Sequence, residues 1–397
     1  MNRELKIAAV VTEYRKYSHA QHIVDRFLYG YGWDGKHHRP NMKVVSMYTD
    51  QVPESDLSRD RESEFDYLKI YPTVAEALTC GGEKLAVDGV MLIGEHGDYP
   101  TNEKGQRLYP RYELFQQIVS VFRDSGRSVP VFNDKHLSWK WKWAQEMVDI
   151  SRELDFGFLA GSSLPVARRI PELEFDRDEK VTEAMSLAFA SPDSYDFHGL
   201  EVLQGMVERR DGGETGVVSM HALRGDAVWE AMQAGSWDDG GWDPELFQAC
   251  LCRSHQMEPI RAGFGHSFPT LDELKSAWKP IVYRFQYADG LKATMFVGDG
   301  LVTDFTFAAR IDSQPKPVST LMFLPYYDLQ NFFSPQVHHI ERLFETGVAN
   351  YPVERTLLTS GLTEAGVDSL YRGQRRIMTP HLRVSYQPSD ESTYWRT

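Results

Sequence analysis

The sequence predicts an α/β protein with a doubly wound parallel sheet in its N-terminal half and an α+β domain with a mainly antiparallel sheet in its C-terminal half. In the first half of the 397 residues, short apolar runs alternate with amphipathic helical stretches, which is typical of parallel strands buried on both faces. In the second half, β-rich runs are joined by Asp-Gly turns, which favour hairpins. We place the boundary near residues 161–169, which divides the chain into residues 1–163 and 164–397.

Strands and helices alternate along the first half. The first strand is the apolar run KIAAVVT, and apolar residues follow it at helical spacing from Ala20 to Leu28. Thr73 and Glu76 are spaced as a capping box at the start of a short helix. The predicted strands lie at residues 6–12, 43–50, 87–93, 128–132 and 156–160, and the predicted helices at residues 20–28, 73–78, 112–125 and 139–154.

The second half has a different pattern. Asp289-Gly290 and Asp299-Gly300 are predicted hairpin turns, because both residue types tolerate a positive φ. The predicted strands lie at residues 217–223, 281–287, 293–297 and 302–309. Helices predicted at residues 195–209, 338–345 and 363–373 would cover this sheet.

The composition favours an enzyme in a reducing compartment. Lys and Arg total 43 against 57 Asp and Glu, and the formal net charge of −14 disfavours binding to the phosphate backbone of nucleic acids. The three cysteines cannot supply a disulfide framework. No apolar run reaches the roughly 18 residues of a membrane helix, and no signal peptide is recognised. We therefore expect a cytoplasmic protein that acts on a small molecule, without a nucleic-acid or membrane partner.

Three stretches of the sequence resemble a known family. They are YPT at 71–73 followed by VDGV at 87–90, VPVFNDKHL at 129–137, and residues 340–380 with their GVANYP and GQRRIMTP segments. In this order they are similar to the glucose–fructose oxidoreductase and inositol dehydrogenase (Gfo/Idh/MocA) family. The resemblance implies a Rossmann-like first domain, NAD or NADP as cofactor and oxidation of a hydroxyl group of a sugar, polyol or related molecule. It also implies a homo-oligomer formed through the C-terminal sheet.

The resemblance also implies roles for individual residues. Lys135 matches the family's active-site lysine, which hydrogen-bonds the reacting hydroxyl, and Asp134 matches the acidic residue before it. In YDFHGLE at 195–201, His198 matches the family's catalytic histidine, which would accept the hydroxyl proton, and Glu201 matches an aspartate. The family's acidic position four residues before this histidine holds serine here, and Asp193 is the nearest substitute.

The first strand-to-helix turn departs from the family's pattern. A dinucleotide-binding turn needs glycines so that its backbone can approach the pyrophosphate, but TEYRKYS at 12–18 contains none and carries Glu13. Either the loop at 30–42, with KHHR at 36–39, replaces the glycine turn, or no dinucleotide binds there. An acid at the end of the second strand could accept ribose hydroxyls. The candidate cofactor-binding residues are Thr12, Tyr14, Ser18, Asp50, Glu95 and His96.

Two loops predicted at the carboxyl ends of neighbouring strands are rich in ionisable residues. Ligands of open α/β sheets bind outside these strand ends, where GEHGDYP at 94–100 and NDKH at 133–136 would meet. Histidines, carboxylates and a lysine in one crevice favour proton-transfer chemistry. The candidate catalytic residues are Lys135, His198, His96 and Asp134. The candidate substrate-binding residues are Asp98, His136, Ser162, Tyr195 and Glu201.

Two alternatives to a dehydrogenase stay open at this point. The same fold could support a cofactor-free or metal-assisted elimination, epimerisation or hydrolysis of a carbohydrate-like substrate. A divalent metal would then be held by His96, His136, His198 and Glu201. The chain could also be a non-catalytic sensor. The identity of the substrate and the number of subunits do not follow from the sequence.

Overall fold

The computed structural model describes residues 3–256, 268–325 and 329–396. The elements of the first part are β1 (Leu5–Val11), α1 (His19–Tyr29), β2 (Tyr31–Trp33), β3 (Lys36–His38), β4 (Met42–Thr49), α2 (Ser58–Glu64), β5 (Lys69–Ile70), α3 (Val74–Thr79), β6 (Gly89–Ile93), α4 (Arg111–Ser125), β7 (Val131–Asp134), α5 (Trp141–Glu153) and β8 (Phe158–Gly161). Those of the second part are β9 (Arg168–Ile170), β10 (Val181–Ala188), α6 (Asp196–Val207), β11 (Val217–Arg224), α7 (Asp226–Ala234), α8 (Pro244–Arg253), α9 (Leu271–Ala277), β12 (Ile281–Tyr287), β13 (Lys292–Val297), β14 (Phe305–Ile311), β15 (Val318–Phe323), α10 (Ser334–Thr346), α11 (Glu354–Tyr371) and β16 (Ile377–Met378).

The first part forms a six-stranded parallel sheet with the order β5-β4-β1-β6-β7-β8. Alternate residues of β1 enter two separate cores: Ile7 and Val11 belong to one, and Ala8 and Val10 to the other. Both faces of the sheet are therefore covered, which explains why the strands are continuous apolar runs. The predicted doubly wound parallel sheet is confirmed.

The second part forms an eight-stranded sheet with the order β16-β11-β12-β13-β10-β14-β15-β9. Its neighbours are antiparallel except for the β10–β13 pair, so the predicted mainly antiparallel sheet is also confirmed. The sequence analysis missed β10, whose VTEAMSLA contains several good helix formers. Pairing with strands on both sides overrides that local preference.

The outer face of the second sheet is covered by helices of the same chain. Met185 and Phe296 on the strands share a core with Trp229 of α7, Phe247 of α8 and Leu274 of α9. The sequence analysis predicted none of these helices and expected this sheet to meet another subunit. The apolar face on which that expectation depended is buried within the chain, so the homo-oligomer stays a prediction without an assigned surface.

The basic loop at 30–42 does not replace the glycine turn. It forms the β2–β3 hairpin, which follows the C-terminal end of α1. A helix of 11 residues is about 16 Å long, so the hairpin is a helix length away from the first turn. There His38 Nε2 lies 2.8 Å from Glu341 Oε2, and the Trp33 ring stacks on His338 with centroids 4.2 Å apart.

α11 connects the two halves. The sequence analysis placed its start at residue 363, whereas the helix begins at Glu354, because the Thr, Ser and Gly residues of its first turns have weak helix propensity. These small residues are buried and allow close packing, while Val353 and Leu357 join the core of the first sheet. A division of the chain at 163/164 therefore stays a prediction. Within the described ranges, no helix is both long and apolar enough to cross a membrane.

Candidate active site

Lys135 and His198 meet where the carboxyl ends of β7 and β8 face the N-terminal turn of α6. Lys135 Nζ hydrogen-bonds His198 Nε2, and both residues are buried. An ammonium group can only donate, so the imidazole accepts at Nε2. Glu95, from the loop after β6, places Oε1 3.8 Å from Lys135 Nζ. The structure thus brings together side chains from loops that the sequence analysis had predicted to meet.

The backbone at the end of β7 turns sharply to present Lys135. This residue has φ of 67°, in the left-handed region, and its N–H donates to the carbonyl of Gly161 at 3.1 Å. The buried side-chain amide of Asn133 donates to the carbonyls of Asp134, Lys135 and His136 at 3.2–3.4 Å. These bonds stabilise a conformation that would otherwise cost about 1–3 kcal/mol.

His198 is kept neutral by its surroundings. Burial and the neighbouring Lys135 charge hold the pKa of its imidazole well below the usual value. Its ring packs against Tyr195 and Phe305, with centroids 5.4 and 6.0 Å away. Among the described residues, its Nδ1 has no hydrogen-bond partner. A buried, unpartnered donor next to a lysine is a feature of a site that receives a polar ligand.

Arg111 organises the floor of the site, although it was not among the candidate catalytic, cofactor-binding or substrate-binding residues. Its fully buried guanidinium donates to Glu95 Oε2 at 2.5 Å and to His136 Nε2 at 3.0 Å. Burial raises the pKa of Glu95, but the Lys135 and Arg111 charges lower it more, so the carboxylate stays ionised. Gly94 makes room for the Arg111 side chain, because a Cβ at position 94 would lie 2.6 Å from Arg111 Cγ. A lone arginine at the start of a helix gave no signal of these partners.

A cavity of about 290 Å³ lies beside this group. Lys135, His136 and Glu95 line one side, and Arg107, Tyr109 and Asp193 line another. Burial, followed by the nearby Asp196 carboxylate, raises the pKa of Asp193 to about 8. A cavity of this size with several hydrogen-bonding groups suits a small polar molecule. A larger, open groove of about 960 Å³ lies between α5, α10 and residues 387–393, away from this group.

A second acid–base cluster surrounds the N-terminus of α1. His19 Nδ1 lies 2.7 Å from Oδ2 of the fully buried Asp134, and the His19 and His96 rings are 5.6 Å apart. Arg15 approaches His96 Nδ1 at 3.4 Å. Burial and the neighbouring His19 lower the pKa of His96 to about 4. The sequence analysis missed His19, since only the fold places the start of α1 over the end of β7.

The other predicted substrate residues have different positions. Tyr195 lies at the site, its ring centroid 5.9 Å from Lys135 Nζ. Asp98 is exposed and uses its backbone to bind the side chain of Gln51. Ser162 and Glu201 are buried together, with the Ser162 N–H donating to Glu201 Oε2 at 3.0 Å. They connect β8 to α6, and their assignment to the substrate stays a prediction.

The turn at 12–18 does not fit a dinucleotide pyrophosphate. Tyr14 is fully buried and its hydroxyl donates to Asp25 at 2.5 Å. Ser18 caps α1, and its hydroxyl oxygen accepts from the N–H groups of Arg15 and Gln21. Thr12 is buried and donates to the Glu95 carbonyl at 2.8 Å. Each of these three side chains already has a structural partner, and their assignment to a cofactor stays a prediction.

Asp50 is the predicted cofactor residue that remains exposed. It lies directly after β4, as expected for an acid that accepts ribose hydroxyls, and it accepts from the Tyr48 and Tyr99 hydroxyls at 2.7 and 2.6 Å. The alternative metal ligands do not converge on one point. His136, His198 and His96 contact the side chains of Arg111, Lys135 and Arg15, respectively, and Glu201 contacts Ser162. Within the described part of the chain, no group of three His, Cys, Asp or Glu residues is arranged to hold a metal.

Comparisons with known proteins show the fold. No family description and no curated protein matches the sequence. The structure is similar to GenD2 from gentamicin A biosynthesis in complex with NAD, with a TM-score of 0.58 and 11% identity over 95% of this chain and 97% of that chain. It is similar to myo-inositol dehydrogenase from Lactobacillus casei, with a TM-score of 0.55 and 8% identity over 94% and 96% of the two chains. It is also similar to scyllo-inositol dehydrogenase from the same species, with a TM-score of 0.53 and 11% identity over 95% and 99%. The chain therefore has the fold of these inositol dehydrogenases.

Proposed function

We propose that the chain is an enzyme that moves a proton to and from an oxygen atom of a small polar substrate with hydroxyl or carbonyl groups. The observation that carries this proposal is the contact between the buried Lys135 and His198 at the wall of the cavity. Lys135 reaches the cavity, and His198 lies behind it as a neutral proton acceptor. A lysine and an imidazole in contact form an acid–base pair of the kind that general acid–base catalysis requires.

The surrounding charges suit this role. With a carbonyl substrate, Lys135 would donate to the oxygen. With a hydroxyl substrate, Lys135 would pass a proton to the neutral Nε2 of His198 and take up the proton that the substrate oxygen releases. Glu95, held ionised beneath the cavity, stabilises the positive charge of the pair. Arg111 fixes Glu95, so the carboxylate keeps its distance from the lysine. Preorganised charges of this kind stabilise a developing oxyanion more than water does.

Oxidation of a hydroxyl group of a sugar, polyol or related molecule, with NAD or NADP as cofactor, is the first candidate for the overall reaction. The similarity in fold to myo-inositol dehydrogenase over most of both chains supports it. The position of Lys135 at the end of β7 supports it as well, because ligands of open α/β sheets bind at this edge.

A reaction without hydride transfer, such as an elimination or an epimerisation, is the second candidate. The observation that favours it is the first turn, whose side chains are engaged within the chain and do not fit a pyrophosphate. Such a reaction needs only the acid–base pair and a substrate carbonyl that Lys135 can polarise.

Deuterium exchange tests the second candidate, in which the acid–base pair also removes the hydrogen on the carbon next to the carbonyl. Ketoses and keto-polyols are incubated with the protein in D₂O, and NMR follows exchange of the hydrogen next to the carbonyl. We expect exchange with the natural protein and a loss of about 10²–10⁴-fold in Lys135→Met and His198→Gln. Lys142→Met, which changes an exposed lysine on α5, is the matched control. Equal exchange rates in all four proteins would contradict the second candidate.

The two overall reactions are then separated by adding a nicotinamide nucleotide. Oxidation predicts that NAD or NADP is reduced when a polyol is present. A reaction without hydride transfer predicts product formation with no nucleotide added, and deuterium from the solvent in the product.

A further inference from the structure

The segment after β4 crosses the carboxyl end of β1. We name residues 50–57 the strap. The backbone N–H groups of Asp50 and Gln51 donate to the carbonyls of Val11 and Thr12 at 3.0 and 2.8 Å, and the N–H of Leu57 donates to the carbonyl of Tyr14 at 2.7 Å. The strap is therefore bonded to the first turn along its length.

The strap is also bonded to the loop after β6. Both side-chain amide atoms of Gln51 are used there: Nε2 donates to the Asp98 carbonyl at 3.0 Å, and Oε1 accepts from the Asp98 N–H at 2.9 Å. The loops that follow β1, β4 and β6 are thus connected to one another. These three strands are neighbours at the point where the strand order reverses, which is where a doubly wound sheet binds its ligand.

The first turn offers few backbone groups to an anion. A pyrophosphate at this position is bound by free N–H groups at the start of the following helix. Here the N–H groups of Arg15 and Gln21 donate to the Ser18 hydroxyl oxygen, and that of Tyr17 donates to Gln21 Oε1 at 2.6 Å. The N–H of Ser18 donates to the Arg15 carbonyl at 3.0 Å. Four of the N–H donors of this segment are therefore already used within the chain.

The charge of the first turn is also unfavourable for binding a pyrophosphate. Glu13 is only 8% exposed, and its carboxylate pairs with Arg15 Nε at 3.1 Å. A pyrophosphate placed over this turn would meet a buried carboxylate and compete with it for the arginine. A carboxylate and a pyrophosphate brought close together at a partly buried position repel each other strongly.

From these observations we infer that no dinucleotide lies across the first strand-to-helix turn of this chain, because the strap and the turn close that place. The inference goes beyond the proposed function, because it favours the second candidate, a reaction without hydride transfer, over oxidation with NAD or NADP. Proton transfer at Lys135 itself needs no dinucleotide. It implies that the nucleotide-binding half of a dehydrogenase crevice has been replaced here by the chain's own segments.

Titration with NAD⁺, NADP⁺, NADH and NADPH tests the inference. Nucleotide carried through purification is first removed, and its amount is measured. Calorimetry then follows binding, with GenD2 as the positive control because its structure contains NAD. We expect no saturable binding up to about 1 mM. A cooperative thermal transition of the same sample shows that the protein is folded.

Hydrogen exchange shows where any bound nucleotide lies. Protection of residues 12–18 or of the strap by a bound nucleotide would overturn the inference. Binding that protects only other segments supports it, because the nucleotide then lies away from the turn. Absence of saturable binding also supports it.

A pair of variants tests the closure without any ligand. Gln51→Ala removes both side-chain bonds to Asp98, and we expect the strap amides to exchange about fivefold to tenfold faster. Val52→Ala, at a neighbouring side chain that is 53% exposed, should leave exchange unchanged. Unchanged exchange in Gln51→Ala would contradict the strap as a fixed closure. These readouts are independent of Lys135, so failure of the proposed function and failure of this inference are distinguishable.

Discussion

At the scale of single residues, the site depends on which groups are charged. His136 and His198 are buried beside Arg111 and Lys135, and burial together with those charges lowers both histidine pKa values. The cations in turn keep Glu95 ionised. The result is a set of neutral imidazoles and opposite charges in contact, which is suited to proton transfer near neutral pH.

The Lys135→Met variant tests the coupling between Lys135 and His198. Removing the lysine charge should raise the pKa of His198, because that charge is the second cause of its depression after burial. The pKa should stay below the usual value, since burial persists. NMR titration of the His198 ring measures it. An unchanged titration would show that the two side chains do not interact in solution.

Arg111 should contribute more to stability than a surface arginine of the same helix. In Arg111→Met the partly buried Glu95 carboxylate loses its closest cation, and we expect about 3–5 kcal/mol of destabilisation. Changing Arg123, which is 47% exposed and pairs with Glu153, to Met should lower the free energy of unfolding by less than about 1 kcal/mol. Denaturant unfolding of both variants measures the difference, and equal losses would contradict the role given to Arg111.

At the scale of elements, α6 serves two purposes. His198 faces the active site, whereas one turn later Glu201 faces Ser162 and accepts from the Thr359 hydroxyl of α11 at 2.9 Å. Gly161 leaves room for this carboxylate, because a Cβ there would lie 2.7 Å from Glu201 Oε2. Glu201 thus positions the helix that carries the proposed acid–base residue.

Glu201 should make stability depend on pH. Burial raises its pKa to about 7 in the folded protein, above the value of an unfolded glutamate. The folded state therefore holds a proton that the unfolded state releases. The contribution of Glu201 to stability is therefore greatest below the pKa of an unfolded glutamate and falls by about 3 kcal/mol as pH rises to 7. In Glu201→Gln this fall should disappear, whereas Glu153→Gln, at an exposed site, should retain it. Chemical denaturation across this pH range provides the measurement.

At the scale of the whole molecule, one chain covers both of its sheets. α11 packs between the halves, and its Arg355 pairs with Glu208 of the segment after α6, both almost fully buried. On the far side, α7, α8 and α9 cover the second sheet. The expected cytoplasmic location and the homo-oligomer formed through the C-terminal sheet stay predictions.

Phe296 tests that cover. This fully buried residue of β13 contacts Trp242, Phe247 and Trp278, so Phe296→Ala should destabilise the chain by about 3–5 kcal/mol. Phe323→Ala, at a ring that is 38% exposed, should lower the free energy of unfolding much less. Because the cover belongs to the same chain, the loss should not vary with protein concentration. A loss that varies with protein concentration would indicate that a second subunit contributes to this face.

The elements with clear periodicity were predictable, because burial of one face leaves its period in the local sequence. The parallel sheet and the polar loops at its carboxyl edge belong to this group, whereas the candidates Lys135 and His198 came from the family resemblance. Their roles in catalysis stay predictions. Elements without a clear local pattern were missed. The strand β10 contains helix-forming residues, and the first turns of α11 contain residues with weak helix propensity.

The contacts that shape the site required the folded chain. His19 meets Asp134 across 115 residues, and Arg111 meets His136 across 25. Such pairs leave no period in the sequence, since they depend on how separate loops converge at one edge of a sheet. The absence of glycine from the first turn was visible in the sequence, but only the fold showed that the strap and the Ser18 hydroxyl use its backbone groups. Local composition records which faces are buried, whereas long-range packing selects each side chain's partner.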